Sequence, residues 1–327
     1  MKLIVILIPI IAFLLIEAKT SNEEWKHFKA EFNKIYKSNQ EDQKRYKIFI
    51  KNLKNIRAHN QRFELGEETY MQEINKFADI TEDEFTKLYG LYERSKPVKY
   101  DTYRTLNETE STNNATDNIE SLDWRDLGGF TPAKDQGLCG ACYIFSVIGN
   151  IENYHYRKTG QLLSLSEQHV VDCLSNYTCG GGHPAYVFQF VANIGIHLES
   201  DYPYREQQNE CDNTTQPRSN VTLSDIGVVT GSDDDLKLGL IENGPLSTCF
   251  SVTANWRFYK SGVWYHNECA QLSNHCVLVV GYGTENGHDY WLIKNSWGPN
   301  WGDNGYIKMA RNTHKNYCGF NAGLYPI

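Results

Sequence analysis

The sequence predicts an α+β protein with a helical N-terminal region, a helical half and a β half, in that order. Apolar residues recur at helical spacing over residues 25–56, and a further helical pattern runs from Cys142 to Arg157. Beyond Gly231 the chain changes to short apolar runs broken by Gly and Asn, which are typical of strands. Two halves of such different character favour a cleft between two subdomains.

The first residues of the chain have the pattern of a targeting segment. One basic residue, Lys2, is followed by an unbroken apolar stretch from Leu3 to Ile16, and the small Ala18 offers a cleavage site. This stretch is shorter than the about 20 residues that a membrane-spanning helix needs. We interpret residues 1–18 as a secretory signal peptide, with a signal anchor as the alternative. A protein that enters the secretory pathway in this way is expected to be extracellular or lysosomal.

The number of cysteines is also consistent with the secretory pathway. Disulfides persist in secreted proteins, and an odd number of cysteines, here nine, indicates that one thiol is kept unpaired and reactive. Asparagines in the glycosylation pattern N-x-S/T are also present. They are Asn107, Asn114, Asn176, Asn213 and Asn220.

The net charge of −8 excludes one class of partner. From Asn118 onward there are 13 Lys and Arg against 21 Asp and Glu, with no basic patch. An acidic surface does not attract phosphates, so we expect no nucleic acid as a partner. No later stretch is long and apolar enough to predict a membrane partner.

The sequence pattern of the N-terminal region predicts a hairpin of two helices. "SNEE", residues 21–24, has the form of a capping box, and aromatic residues follow it at helical spacing. These are Trp25, Phe28, Phe32 and Tyr36. Glu41 and Arg45 are placed for an i,i+4 ion pair on the second helix. Its apolar stripe consists of Tyr46, Phe49, Leu53 and Ile56. Such a hairpin needs a further surface to pack on.

Residues 95–118 change to polar, Asn- and Thr-rich sequence with few large aliphatic residues. A segment of this composition cannot bury enough apolar surface to fold alone, so we interpret it as an exposed linker open to proteases. The part that follows, residues 118–327, is long enough for a substantial core.

Three helices are predicted in the helical half. The first begins at Cys142 and ends at Arg157 and Lys158 before Gly160, which is typical of a helix C-terminus. The second runs from Ser166 to Cys173, and the third lies in "HPAYVFQFVANIG", residues 183–195. In the β half, "VLVVGYG", "YWLIKNSW" and "GYIKMAR" predict strands.

The stretch "QGLCGACYIF", residues 136–145, places two cysteines three positions apart. The pattern alone fits a redox dithiol, half a zinc site, a structural disulfide, or a nucleophile beside a structural thiol. A cysteine nucleophile must lose its proton, and the positive end of a helix favours the thiolate. Cys142 stands where the predicted helix begins and Cys139 lies before it, so Cys142 is the better candidate.

A thiol nucleophile also needs a base, and His275 is the best placed of ten histidines. It stands at the start of a buried-looking strand, a rigid position for an imidazole. Asn295 lies in the middle of another predicted apolar strand, with Trp297 two positions on. A buried amide needs a hydrogen-bond partner, and orienting an imidazole would supply one.

Several motifs together resemble one family. "QGLCGACY" matches the pattern C-G-(S/A)-C-(W/Y) of papain-like and cathepsin cysteine proteases, with His275 and Asn295 133 and 153 positions after Cys142. "SEQHVVDC" and "GYGTENGHDYWLIKNSWGPNWGDNGYIKM" are similar to the same family. In the N-terminal region "EINKFAD" resembles the GNFD motif of cathepsin L-like propeptides. The ERFNIN pattern of those propeptides is matched by Glu41, Arg45, Phe49, Asn52, Ile56 and Asn60.

The resemblance implies a papain-like two-subdomain fold, with a helical left domain, a β-barrel-like right domain and an N-terminal α-helical propeptide domain. It implies an inhibitory propeptide and linker at residues 19–117 and a peptidase domain at residues 118–327. The activity implied is that of a cysteine endopeptidase made as a zymogen. Cys142 would be the nucleophile, His275 its proton partner, and Asn295 the residue that orients the imidazole. Gln136 would donate to the oxyanion, and Trp297 would shield the His–Asn pair.

By the family pattern, Cys139 pairs with Cys179, Cys173 with Cys211, and Cys269 with Cys318. Cys249 and Cys276 remain, at positions that resemble the pocket for the P2 side chain of a substrate. One interpretation is two small buried thiols. Our hypothesis is a fourth disulfide between them, which stiffens the pocket wall and leaves Cys142 as the unpaired thiol.

The substrate-binding residues implied by the resemblance are Gly181, Gly182, Ser273 and Trp297, together with the P2 pocket residues His183, Pro184, Cys249, Cys276 and Ala322. The P2 pocket is compact and uncharged. We therefore expect an apolar P2 residue. Five residues separate Cys173 from Cys179, which leaves no room for the occluding loop of cathepsin B-like carboxydipeptidases, so the cleft is expected to be open at both ends.

We expect protein or peptide substrates, the chain's own propeptide as inhibitor, cystatin-type inhibitors as partners, and no cofactor or metal. Asp79 is the candidate acid sensor of the propeptide. A thiol–disulfide oxidoreductase would explain the C-x-x-C pattern alone and lacks the small βαβ context. The remaining alternative is a catalytically silent homologue that acts as a binding or storage protein.

Overall fold

The computed structural model describes residues 21–89, 104–105, 119–175, 178–212, 214, 219–265, 273–311, 318 and 322–327. The predicted signal peptide, residues 1–18, and nearly all of the predicted linker lie outside these ranges. None of the helices within them is both long and apolar enough to cross a membrane.

The N-terminal segment, residues 21–89, contains the predicted helical hairpin. α1 covers residues 21–31 and α2 runs from Asn39–Glu64, with Ser38 as its N-cap. The predicted capping box at Ser21 is wrong, because Ser21 is already helical. Tyr36 lies outside the helix that its spacing predicted, since Asn33 has a left-handed φ of 51°. The Tyr36 ring instead stacks on Trp25, with ring centroids 5.6 Å apart.

The N-terminal segment also extends the sheet of the C-terminal region. β1 (Tyr70–Gln72) pairs antiparallel with β6 (Tyr259–Trp264), and α3 (Glu82–Leu88) follows it. Thr81 caps α3 through a capping box with Glu84, whose carboxylate accepts a hydrogen bond of 2.8 Å from Arg45. The hairpin therefore finds the packing surface that its sequence requires.

The helical half contains the three predicted helices. α4 runs from Cys142–Thr159 and ends at Gly160, whose φ of 75° is readily adopted by glycine. α5 (Glu167–Cys173) begins at its N-cap Ser166, and α6 (Pro184–Ile194) begins with proline in its first turn. The first twelve residues of α4 are all buried, so this helix is the centre of the half.

The β half is built around one sheet. Its strands after the short β3 (Leu122–Asp123) are β4 (Ile226–Thr230), β5 (Leu246–Phe250), β6, β7 (His275–Glu285), β8 (His288–Lys294), β9 (Tyr306–Ala310) and β10 (Ala322–Pro326). The order across the sheet is β1-β6-β9-β8-β7-β5-β10-β4-β2, where β2 is Arg104–Thr105. α7 (Asp233–Asn243) packs on this half, next to β4.

The two halves meet where α4 packs on β5, β7 and β10. Ser146 on α4 and Ser247 on β5 share a hydrogen bond of 2.7 Å between their hydroxyls, and Asn150 donates to the Leu324 carbonyl at 3.1 Å. Both bonds are buried, so they fix the helix against the sheet at a defined position. Cys142 at the start of α4 and His275 at the start of β7 thus lie on elements held rigidly together.

Candidate active site

Cys142 is the first residue of α4 and is buried, with 5% of its surface exposed. It takes part in no disulfide. The N-cap residue, Ala141, supplies no side-chain cap, so the first N–H groups of this 18-residue helix keep their positive polarity toward the thiol. The helix end therefore favours the charged form of the Cys142 sulfur.

His275 and Asn295 form a buried pair. The imidazole Nε2 and the amide Oδ1 lie 2.8 Å apart, and both residues are at most 4% exposed. Asn295 directly follows β8, which ends at Lys294, so its predicted place in the middle of a strand is wrong. Its backbone N–H donates to the Gly305 carbonyl at 2.9 Å, which turns the side chain away from the ladder toward the imidazole. The Nδ1 atom of His275 is buried and makes no hydrogen bond among the described residues.

Trp297 covers the pair. Its ring centroid lies 5.1 Å from that of His275, and 1% of its surface is exposed. Trp256 packs at right angles to His275 from another side, with the centroids 6.4 Å apart. Two indoles that exclude water leave the imidazole–amide hydrogen bond in a medium of low polarity, where it is stronger than in water.

Gln136 is fully buried and held at both ends of its amide. Its Oε1 accepts from the Ser296 hydroxyl at 2.6 Å, and its Nε2 donates to the Cys139 carbonyl at 2.9 Å. Tyr204 also donates to the backbone carbonyl of Gln136 at 2.8 Å. An amide nitrogen carries two hydrogens, so one N–H of Gln136 remains to donate to a further acceptor.

Three of the four expected disulfides lie within the described residues. They join Cys139 to Cys179, Cys173 to Cys211, and Cys249 to Cys276. Cys249 and Cys276 stand directly opposite each other on β5 and β7. Cys318 is also disulfide-bonded, and its expected partner, Cys269, lies outside the described residues.

The expected pocket residues fall into two groups. In the helical half, Gly181 and Gly182 lead into His183, which caps α6 by accepting the Ala185 N–H at its Nδ1, and into Pro184. Burial lowers the pKa of His183 to about 4, so this imidazole is neutral in mildly acidic solution.

The second group belongs to the β half. Ser273 donates to the Cys249 carbonyl at 3.2 Å, and Thr248 donates to the carbonyl of Ala322 at 2.6 Å. Cys276 and Cys142 belong to the same buried apolar cluster, and Cys249 packs on it from the side. The disulfide therefore lies in the packing layer that also contains the candidate nucleophile.

The N-terminal segment covers the site. Phe77, Phe85 and Tyr89 pack against the Trp297 indole, with ring centroids 5.2 to 5.8 Å apart. Asn75 donates to the Arg257 carbonyl at 2.6 Å, and Lys76 forms an ion pair with Asp135, the residue before Gln136. The residues of "EINKFAD" are thus in contact with the residues that frame the candidate active site.

Asp79 is the last residue of the same motif, and its partners lie within the N-terminal segment. It is 3% exposed and accepts from Lys34 at 2.9 Å and from the Tyr36 hydroxyl at 2.8 Å. The arrangement ties the loop after α1 to the segment that covers Trp297. Of the predicted glycosylation residues, Asn220 is described and exposed, and the other four lie outside the described residues.

Sequence reasoning missed a buried charge cluster between the halves. Lys134 binds the carboxylates of Glu152 and Glu167 at 3.0 and 2.9 Å. Burial raises the pKa of Glu167 to about 7 and lowers the pKa of Lys294, which lines the same cavity, to about 8. These charges lie far apart in sequence, and the "AK" and "SEQ" stretches that contain two of them carry no signal that they meet.

A fold of two halves, with a thiol, an imidazole and an amide at their boundary, is that of a thiol protease. Residues 119–326 match the papain family cysteine protease model, and residues 25–85 match the cathepsin propeptide inhibitor domain. The chain belongs to the papain family of cysteine proteases, and the papain-like fold implied by its motifs is confirmed.

Relatives and solved structures place the chain more closely within the family. A cathepsin L-like peptidase of Aedes aegypti is 40% identical over 319 residues, which cover 93% of each chain. Digestive cysteine proteinase 1 of Homarus americanus is 38% identical over 315 residues, 94% of this chain and 95% of the relative. The structure of digestive procathepsin L2 proteinase from Tenebrio molitor larval midgut has a TM-score of 0.85 at 34% identity, and covers 94% and 99% of the two chains. The protein is a cathepsin L-like cysteine endopeptidase with its inhibitory propeptide.

Proposed function

We propose that Cys142, His275 and Asn295 carry out the hydrolysis of peptide bonds. The Cys142 thiol transfers its proton to His275, and the resulting thiolate–imidazolium pair is stabilised by the N-terminus of α4. The observation that carries this proposal is the 2.8 Å bond between His275 Nε2 and Asn295 Oδ1, which leaves Nδ1 available for the thiol proton. Asn295 acts as a positioning residue because it holds the imidazole in this orientation.

The reaction runs in two steps. In the first, the thiolate attacks the peptide carbonyl, the imidazolium protonates the leaving amine, and the acyl group remains on sulfur as a thioester. In the second, His275 takes a proton from water, the hydroxide attacks the thioester, and the carboxylic acid leaves while the thiolate–imidazolium pair is restored. Trp297 and Trp256 keep bulk water from the imidazole–amide bond throughout.

Gln136 and the backbone N–H of Cys142 are proposed to bind the oxyanion that forms on the carbonyl. The Gln136 amide is held by Ser296 and Cys139, so it is oriented before the substrate arrives. Donors fixed in advance cost no reorganisation, and removing one costs about 3 to 4 kcal/mol in the transition state. That loss corresponds to a fall of about 100- to 1,000-fold in kcat.

Residues 19–117 are proposed to be removed on activation, which leaves residues 118–327 as the mature enzyme. In support, Phe77, Phe85 and Tyr89 block access to Trp297, and Asp79 holds this covering in place. Loss of the Asp79 charge would remove the charged partner of Lys34. Asp79→Asn should therefore allow conversion at higher pH than in the wild type. An unchanged pH midpoint of conversion, followed by mass spectrometry, would contradict this assignment.

The pocket residues support an apolar P2 side chain, because His183 is neutral and the Cys249–Cys276 disulfide presents sulfur and methylene groups. A cleft without the occluding loop also admits cystatin-type inhibitors, which we propose as partners. The cathepsin and digestive proteinase names of the relatives support work in a lysosome or a digestive fluid after passage through the secretory pathway, with glycosylation at the five sequons.

The test is to incubate the zymogen at acidic pH with an epoxide inhibitor that alkylates thiolates, and without it. We expect loss of the N-terminal segment, then hydrolysis of a peptide with Leu or Phe at P2, and one adduct on Cys142. The Cys142→Ala zymogen is the matched control, since it should neither convert nor take the label. A processed wild-type protein without hydrolysis or label would favour a silent binding or storage protein. A library profile dominated by basic P2 residues would refute the proposed pocket.

A further inference from the structure

Two carboxylates of the enzyme domain interact with one ammonium group of the propeptide. Lys76 forms an ion pair with Asp135, and Glu206 acts on the same ammonium electrostatically. The contact joins residues 59 positions apart and crosses from the inhibitor domain to the residue before Gln136. The positive charge of the Lys76 ammonium group is therefore bound next to Gln136 in the zymogen.

Asp135 is held in place by backbone groups of the active site. Its Oδ1 accepts the Gly137 N–H at 3.0 Å, and its backbone forms an antiparallel bridge with Trp297. A methyl group on Gly298 would lie 3.0 Å from Asp135 Oδ2, so the carboxylate lies against that turn. The carboxylate that contacts Lys76 is thus held between the loop that contains Gln136 and the turn at Gly298, the residue after Trp297.

Glu206 lies against the same loop. A methyl group on Gly137 would lie 2.0 Å from Glu206 Oε2, so the carboxylate occupies the space that a side chain at residue 137 would need. Glu206 itself has a left-handed φ of 57°, which is uncommon for a residue other than glycine. Both carboxylates therefore lie next to Gly137, Asp135 at its backbone N–H and Glu206 at its Cα.

The remaining contacts of the Lys76 ammonium come from the propeptide. It lies 5.1 Å from the Phe77 ring centroid and 5.9 Å from that of Tyr89. The pKa of Lys76 lies below its ordinary value because the side chain is buried, and Asp135 and then Glu206 act against that shift. When the propeptide leaves, the ammonium and both rings leave with it, while both carboxylates stay on the enzyme.

We propose that in the mature enzyme Asp135 and Glu206 form a subsite for a Lys or Arg side chain of the substrate, on the leaving-group side of the scissile bond. This rests on the proposed function. The residues proposed for the P2 pocket lie at the start of α6 and on β5, β7 and β10. Asp135 instead precedes Gln136 and pairs with Trp297, and Glu206 follows Tyr204, whose hydroxyl donates to the Gln136 carbonyl. The propeptide fills this subsite with Lys76, so it inhibits partly as a mimic of a basic substrate.

The experiment uses the mature enzyme and internally quenched peptides with a fixed Leu at P2. One series carries Lys or Arg at each of the first three positions after the scissile bond, and the matched series carries Gln or citrulline. At one of these positions we expect kcat/KM to be about two- to fivefold higher for the charged residue, which is the range of a solvent-accessible ion pair. Raising the ionic strength to 0.5 M should reduce this ratio, as it does for charges open to solvent.

Three variants assign the effect to residues. Asp135→Asn and Glu206→Gln should each bring the Lys-to-Gln ratio toward one, and Asp135→Lys should favour Glu at the same position. Each ratio is internal to one enzyme preparation, so a change in folded fraction does not alter it. Glu210→Gln, at an exposed carboxylate of the same domain, is the matched control and should keep the wild-type ratio.

The outcomes separate the two proposals. An enzyme that cleaves the neutral series with a Lys-to-Gln ratio of one at all three positions overturns the subsite and leaves the protease intact. A raised ratio that survives in both Asp135→Asn and Glu206→Gln overturns the assignment to these residues. A protein that cleaves neither series refutes the proposed function, and the subsite with it.

Discussion

The Cys249–Cys276 disulfide makes a strong prediction about stability. It closes a loop of 27 residues between β5 and β7, at the residue after His275. Cross-linking a loop of this length lowers the entropy of the unfolded chain by an amount worth about 3.5 kcal/mol at 25 °C. The perturbation is the double variant Cys249→Ala/Cys276→Ala, made in a Cys142→Ser background so that the zymogen cannot process itself.

A loss of about 3.5 kcal/mol should lower the midpoint of thermal unfolding by about 7 to 14 °C, since a domain of this size shifts by about 2 to 4 °C per kcal/mol. The assay is circular dichroism of the two zymogens at equal scan rate. Thiol counting in denaturant without reductant should find no reactive thiol in the Cys142→Ser protein and one in the wild type.

A matched control is the removal of another disulfide, by Cys173→Ala/Cys211→Ala. That bond closes a loop of 38 residues, for which the same relation gives about 3.9 kcal/mol, so both variants should lose similar stability. A Cys249/Cys276 variant that unfolds at the temperature of its parent would refute the reasoning. Two reactive thiols in the Cys142→Ser parent would refute the bond itself.

Three further changes test the site and its cover. Asn295→Ala should lower kcat/KM about 10- to 100-fold through loss of one hydrogen bond to the charged His275, with a smaller change in KM, as measured by peptide hydrolysis. Phe77→Ala removes a buried ring worth about 3 to 5 kcal/mol, so its zymogen should convert faster at neutral pH in a mass-shift time course, whereas the exposed Ile35→Ala should not. Burial lowers the pKa of His169 to about 4, so the unfolded chain binds its proton first and stability falls as the pH drops from 6.5 to 4. His169→Gln should flatten the fall of the thermal midpoint across that window, and an equally steep fall would contradict this.

The sequence predicted elements that depend on local patterns. α4 begins at Cys142 and ends before Gly160 as its spacing and its glycine indicate, and β7 begins at His275. Asn295 was misplaced because "YWLIKNSW" is apolar on both sides of the residue, while the strand pairing that ends at Lys294 depends on β7 and β9. The periodicity of apolar residues depends on one segment of the chain alone. It does not predict where the pairing with neighbouring strands ends.

The local ion pair predicted between Glu41 and Arg45 is present, but contacts between charges far apart in sequence could not be predicted in the same way. Lys134, Glu152 and Glu167 are ordinary helix or loop residues in sequence, and their burial becomes visible only when α4 and α5 are packed together. The ion pair between Lys76 and Asp135 could not be predicted either, since the sequence around each residue is typical of a solvated surface charge. Burial of a charge requires a partner from elsewhere in the chain, and a single sequence does not identify that partner.

The pairing of β1 with β6 has a consequence for the enzyme after activation. Three residues of the propeptide, Tyr70–Gln72, cover the edge strand of the sheet, and the pairing is irregular after Met71. Cleavage therefore leaves β6 with open backbone donors and acceptors, to which an extended chain of suitable length can add. We expect the released propeptide to dissociate and to rebind β6 in this way, as a reversible inhibitor. The time for which the mature enzyme stays inhibited after activation should then depend on the enzyme concentration.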